Sequence, residues 1–258
     1  MAPYTMYSIF SFLFGLVLGS FANVCIYRLP MGKSIVSPPS SCPHCGFQIP
    51  FYDNIPIVSY ILLRGKCRQC KQPISIQYPL VELIMGIISL ALFIRYGISY
   101  QYILQLLFAG SLVVITFIDL HHKLIPDVIS LPGILIGFLA SFLLRHLTWL
   151  DSAIGIVAGG GALLLIAVVF EKITGKEGMG GGDIKLLAMI GAWMGWKALP
   201  FVVLISSLLG IIIGGGALVA SGKGIRVKIP FGPFLAMGSL IYLFFGDSLV
   251  AWYSALFV

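Results

Sequence analysis

A succession of apolar runs, most of them close to the length of a bilayer core, constrains this chain more than any other feature. The runs cover about residues 7–27, 80–94, 102–118, 128–144, 153–170, 184–196, 201–220 and 231–250. Crossing hydrocarbon takes about 20 residues of helix. Backbone N–H and C=O groups that meet no water must pair within their own segment, which leaves helices as the simplest solution for apolar runs of this length. The expected fold is therefore an all-α polytopic membrane protein with about eight transmembrane helices. The thirteen-residue run at 184–196 reaches across only if its ends extend into Gly182 or Pro200. Charged residues make up 10% of the chain, against about 25% in soluble domains. A net charge of +7 would point to nucleic acid in a soluble chain. Here the basic residues need only mark the cytoplasmic face, and no nucleic-acid partner is expected.

The stretch before Tyr7 carries no Lys or Arg, so the basic start of a cleavable signal is missing and the first run is expected to stay as a helix. Three regions follow: residues 1–28 as the first transmembrane helix, 29–78 as a polar domain, and 79–258 as a seven-helix membrane domain. Pro38, Pro39, Pro43, Pro50, Pro56 and Pro73 break any long helix in the polar domain, so turns and short strands are expected there. If that domain is cytoplasmic, all sixteen Lys and Arg except Arg95, Arg145 and Lys197 fall inside. The positive-inside rule then puts both termini on the outer side.

Cysteine spacing gives the polar domain its staple. Cys42-x-x-Cys45 and Cys67-x-x-Cys70 form two knuckles, while Cys25 stands alone in the first apolar run. Four thiolates in one short loop make a closed tetrahedral zinc site with no open position for water. Zn2+ is therefore expected in a structural role, in a domain too small to hold itself together by a core.

Carboxylates near hydrocarbon are costly unless paired, hydrated or in use. Asp183 ends the run G-M-G-G-G-D at residues 178–183, and Asp119 ends an apolar run in I-D-L-H-H-K-L-I-P-D at residues 118–127. The topology puts both on the cytoplasmic face. Two carboxylates held close share a proton, so the ionised member can activate water while the protonated one donates to a carbonyl oxygen. That division of labour suits peptide hydrolysis. Gly178, Gly180 and Gly182 remove side chains before Asp183, allowing positive φ and close approach of an extended substrate. Asp183 also reads as a helix cap, and Asp127, just after Pro126, competes with Asp119 while reading equally well as a first-turn acid. Asp119 with His121 and His122 makes a weak metal pattern. Paired membrane carboxylates also serve proton-coupled transporters, which is the alternative class.

The chain resembles the bacterial type IV prepilin peptidases over nearly its whole length. The resemblance rests on G-S-F-A-N-V-C-I-Y-R-L-P at 19–30, both knuckles, D-N-I-P at 53–56, Y-P-L-V-E at 78–82, the Asp119 segment, G-G-G-D at 180–183 and P-F-G-P-F-L at 230–235. It implies that Asp119 and Asp183 are the catalytic pair, with Gly178, Gly180, Gly182, Lys185 and Asp127 in supporting places. It implies an inner-membrane enzyme that cuts the N-terminal leader of prepilins and pseudopilins at the cytoplasmic face, working beside membrane lipid. It also implies a second reaction, methylation of the new N-terminal amine by S-adenosyl-L-methionine. No glycine fingerprint of a dinucleotide fold is present, so no Rossmann-type cofactor site is expected; the polar domain and the adjoining membrane surface are the expected location, with Glu82, Asp53, Asn54 and Arg68 as candidates.

Overall fold

In the computed structural model, residues 2–145, 147–175, 180–216 and 230–255 are described, and Gly178 lies outside them. Among the described residues six helices are long and apolar enough to cross a membrane: Tyr4–Met31, Gln77–Tyr96, Tyr100–His122, Trp149–Thr174, Trp196–Gly215 and Gly232–Ala251. Two of the eight expected spans are shorter. The runs at 128–144 and 184–196 fold as 14-residue helices, Asp127–Ala140 and Gly181–Met194. At about 1.5 Å per residue each measures about 21 Å, short of the roughly 30 Å hydrocarbon core. The apolar run outlasts the first of these helices because the chain turns at 141–143, where the Leu143 amide bonds back to Ala140 O at 2.9 Å. The second stops at Gly195, whose φ of +77° no helix can continue.

The chain divides into two compact units, Met1–Val114 and Ile115–Val258. The first holds α1 (Ala2–Arg28), the short α2 (Val58–Leu62), α3 (Gln77–Tyr96) and the greater part of α4 (Tyr100–His122). Gly15 and Gly19 let α1 lie directly on α3: a Cβ at Gly19 would stand 2.6 Å from Glu82 Cα. Without a hydrophobic drive between helices in lipid, such small-residue crossings are how backbones gain contact. Polar bonds lock the other end, where Ser11 Oγ donates to Ser89 O at 3.0 Å and Ser89 Oγ lies 2.7 Å from Tyr102 Oη.

The polar domain contains two copies of one turn. Cys42 N–H bonds Phe47 O at 2.9 Å and Gly46 N–H bonds Cys42 O at 2.9 Å. Twenty-five residues on, Cys67 N–H bonds Gln72 O at 2.9 Å and Lys71 N–H bonds Cys67 O at 3.0 Å. Gly46 and Lys71 occupy the same left-handed position, at φ +71° and +60°. The short strands expected here reduce, among the described residues, to single antiparallel bridges, Ser41 with Gln48 and Lys66 with Pro73.

The second unit is organised around α7 (Gly181–Met194), whose residues Leu186 to Trp193 are all buried. A helix apolar all round belongs in the middle of its neighbours. It packs on α5 (Asp127–Ala140) through Trp193 Nε1, which donates to Gly133 O at 2.8 Å. On α6 (Trp149–Thr174) Gly155 meets Gly191 backbone to backbone, and Ser152 Oγ donates to Ala192 O at 2.8 Å. The remaining helices, α8 (Leu199–Leu209) and α9 (Gly232–Ala255), pack together across Gly238, whose bare backbone lies against Ser206.

Candidate active site and metal centre

Asp119 stands in the last turn of α4, which ends as Lys123 takes φ +54°. Its side chain is 5% exposed, and Oδ2 has no hydrogen-bond partner among the described residues. Gly232, at the start of α9, covers it closely enough that a Cβ there would lie 2.6 Å from Oδ2. Ile125, in the link before α5, packs beside both: a Cβ on Gly232 would meet its Cδ1 at 3.2 Å, and one on Gly182 would meet its Cβ at 3.0 Å. Gly182 immediately precedes Asp183, so one isoleucine side chain joins the three segments that surround the carboxylates.

Asp183 lies in the first turn of α7, a helix outside the six spans. The helix cap is Gly180, with no side-chain cap bond, so the capping role open to Asp183 in the sequence is not the one it takes. Gly180 has φ −70° and ψ 137°, ordinary extended backbone. The described glycines of this loop therefore serve by lacking side chains, not by the positive φ expected of them. Burial, and secondly the negative charge of Asp119, push the pKa of Asp183 up to about 6. A carboxylate felt by its neighbour in this way is one of a pair.

Asp127 is engaged elsewhere. Both of its oxygens accept from Lys185 Nζ, at 2.7 and 2.8 Å, in an exposed ion pair. That pair ties the first turn of α5 to the first turn of α7. His121 Nδ1 contacts Phe117 O at 2.6 Å, and the two histidines form no metal group with Asp119 among the described residues.

In the first unit Cys42, Cys45, Cys67 and Cys70 bring their four Sγ atoms within 4.8 Å of one another, with Cys42 and Cys70 at 3.8 Å. Tetrahedral thiolates at about 2.3 Å from zinc stand about 3.8 Å apart, so the donor set fits the ion. The amides of Cys70 and Gln69 point at Cys67 Sγ and pull its pKa down to about 7, which favours the thiolate a metal needs.

Between the knuckles and the ends of α1 and α3 lies a cavity of about 410 Å³, lined among others by Asn23, Asp53, Asn54, Arg68, Tyr78 and Glu82. All four residues expected around a methyl-transfer site thus face one space. Arg68 grips both oxygens of Asp53 at 2.6 Å, and this holds the Asp53 carboxyl below its usual range. Glu82 Oε2 accepts the Ile57 amide at 2.8 Å, and Ser20 bonds the same carboxylate. Ile57 has φ +61°, a costly conformation for a β-branched residue.

Two family models cover most of the chain: the bacterial peptidase A24 N-terminal domain over residues 13–96 and the type IV leader peptidase family over residues 106–215. The prepilin leader peptidase/N-methyltransferase of Aeromonas hydrophila is 41% identical across 94% of this chain and 92% of its own. Those of Pseudomonas putida and Pseudomonas aeruginosa are 38% and 39% identical over 92% and 93% of this chain, and over 90% and 91% of theirs. The chain belongs to the type IV leader peptidase family. No solved structure matches it.

Within the family's two matched regions the chemistry separates cleanly. The four cysteines and the cavity fall in residues 13–96, and both aspartates fall in residues 106–215. Sequence reasoning missed three positions that the leader peptidase fold brings into play. Gly232 lies against Asp119, Ile125 lies against Gly182 and Gly232, and Asn23 lies on the cavity. Gly232 sits inside a proline-flanked motif, a sign that side-chain size matters there, while nothing in a lone isoleucine marks Ile125.

Proposed function

We propose that this chain is an aspartyl endopeptidase that removes the N-terminal leader of type IV prepilins and pseudopilins and then methylates the new N-terminus. The observation that carries the peptidase reading is the buried Asp119 carboxylate, unpartnered at Oδ2 beneath Gly232, with its charge felt by Asp183. With one proton shared between them, one aspartate takes a proton from water as it attacks the scissile carbonyl, and the other donates to the carbonyl oxygen. The bare backbones of Gly182 and Gly232 let Ile125 and Asp119 pack directly on them, while Gly180 and Gly181 leave open space in front of Asp183. Lys185 neutralises Asp127 and so keeps a third negative charge from raising the pair further. Family membership favours this reading over proton transport, the other use of paired membrane carboxylates. Counted over all eight apolar runs, the distribution of Lys and Arg supports an arrangement in the inner membrane with the aspartates and knuckles facing the cytoplasm.

The methyltransferase reading rests on the family and on the cavity under the knuckles. Its volume suits a ligand of nucleoside size, and Tyr27, Tyr60 and Tyr78 offer it aromatic surface. When bound, S-adenosyl-L-methionine supplies a methyl group: the N–C bond forms as the S–C bond breaks, the sulfonium leaves as a thioether, and the amine's proton passes to a carboxylate or water. Asp53, Asn54, Arg68 and Glu82 are the residues that would hold and orient the two reactants. Zinc fits the four thiolates with no position left open, so its part is to fix the knuckles that wall the cavity.

The test uses purified protein in detergent with a prepilin substrate. Asp119→Asn and Asp183→Asn should each abolish cleavage, and an unchanged rate in either overturns the paired mechanism.

A further inference from the structure

The cavity wall contains an acceptor that the protein itself leaves unmet. Asn23 is 4% exposed, and its Nδ2 donates to Gly19 O at 3.3 Å and Tyr78 O at 3.0 Å. Both partners are carbonyl oxygens, so the amide can face only one way. Its Oδ1 is then buried with no partner among the described residues. Polar atoms closed off from water are normally paired, and an orphan on a residue of the cavity wall points to a donor supplied by a ligand.

What kind of donor belongs there follows from the neighbours. Gly19, one helical turn before Asn23, brings α1 against Glu82, which lines the same cavity. Glu82 is 8% exposed and has Oε2 on the Ile57 amide. The cations of the wall are already committed: Arg68 to Asp53, and Arg28 to the carbonyls of Ser34 and Pro38 at 2.9 and 2.7 Å. An amide oxygen and a carboxylate without a cation of their own call for a ligand with several N–H donors and positive charge, which is a primary ammonium. Two such groups take part in the reaction proposed above, the amine to be methylated and the amino group of the methyl donor. Asn23 and Glu82 sit on membrane spans, whereas Asp53, Asn54 and Arg68 sit in the polar loop. A substrate anchored in lipid arrives at the membrane end, and a dissolved one at the loop end.

We propose that Asn23 Oδ1 and Glu82 receive the free N-terminal amine of the leaderless product and hold it for methylation. Glu82 takes the proton that the ammonium must lose before its lone pair is free. This rests on the methyltransferase reading and assigns one end of its cavity.

Titration calorimetry on the full-length protein in detergent tests it, using a synthetic peptide that begins with a free phenylalanine amine, its N-acetylated twin, and S-adenosylhomocysteine. The parent should prefer the free amine by roughly ten-fold or more, as expected for bonds to a charged group. Asn23→Leu should remove that preference while leaving S-adenosylhomocysteine affinity, zinc content and prepilin cleavage near the parent's, and Glu82→Gln should remove the preference as well. A parent indifferent to acetylation, a preference that survives in both variants, or a loss of S-adenosylhomocysteine affinity instead would each overturn the assignment. A parent that binds no S-adenosylhomocysteine and transfers no methyl group removes the methyltransferase reading itself, and the proposal with it.

Discussion

Glu82 in the first unit and Asp119 in the second are both carboxylates nearly closed off from solvent, yet they are treated in opposite ways. Glu82 is fastened by a backbone amide and a hydroxyl, at the expense of a strained Ile57. Asp119 takes a backbone hydrogen bond from Gly232 but keeps Oδ2 free of any described one, beneath that glycine and with its charge felt by a second aspartate. Donors around a buried carboxylate hold it in place, whereas a second carboxylate beside it makes the proton shared between the two. The first arrangement suits holding a ligand, and the second suits activating water.

Separating the two reactions would break or uphold this contrast most forcefully. Asp119→Asn or Asp183→Asn should lower cleavage by roughly 10³-fold or more, as loss of one member of a catalytic unit does. Methylation of a peptide supplied already cleaved should persist, measured by transfer of labelled methyl. Equal loss of both activities would show that the two carboxylate sites do not act separately.

Next in size is Gly232→Ala. The added carbon falls 2.6 Å from Asp119 Oδ2, so the carboxylate must move, and a displacement of about 1 Å is expected to cost about 10²-fold in kcat. Gly182→Ala places its Cβ 3.0 Å from Ile125 Cβ, so it should cost less than Gly232→Ala, and a companion Ile125→Val, which keeps that carbon, should not restore it.

Replacing Cys42, Cys45, Cys67 and Cys70 by serine should strip zinc, read by metal analysis, and lower methyl transfer by about ten-fold or more as the cavity wall loosens. Cleavage should fall much less, because no described aspartate contact involves the knuckles. The pH profile sharpens the contrast further. The one-proton form of the pair is lost as pH rises through the Asp183 pKa of about 6, so kcat/KM for cleavage should decline about tenfold per unit above that value. A profile flat from pH 5 to 8 would contradict it. The smallest effect belongs to Lys185→Ala: an exposed pair is worth about 1 kcal/mol at most, and cleavage should change only a few-fold.

How much of this can be read from the chain depends on the range of the interaction. The knuckles are legible because each Cys pair closes within one turn, and the spacing alone specifies four converging thiols. The aspartates can be picked out as carboxylates at the ends of apolar runs, but the eight-crossing count that put them on one face does not match the six long helices. Their surroundings cannot, because Ile125, Gly182 and Gly232 come from three separate segments and meet only in the folded protein. The same holds for Asp127, whose partner Lys185 lies on another helix. Helix length also escapes a hydropathy reading: the runs at 128–144 and 184–196 are apolar throughout, but Ala140 and Gly195 end the hydrogen-bond ladders inside them.

The backbone contact between Gly155 and Gly191 gives α7 a pivot. Together with Ser152 and Trp193 it fastens the end of that helix remote from Asp183. The helix is held nearer its start as well, by Gly159 against Leu187 O and by the Lys185–Asp127 pair, so a shift at the pivot is carried as a rigid body over the eight residues, about 12 Å, from Gly191 back to Asp183. A methyl group placed at Gly155, far from any reacting atom, would therefore act as a wedge under the fulcrum and swing the aspartate away from its partner.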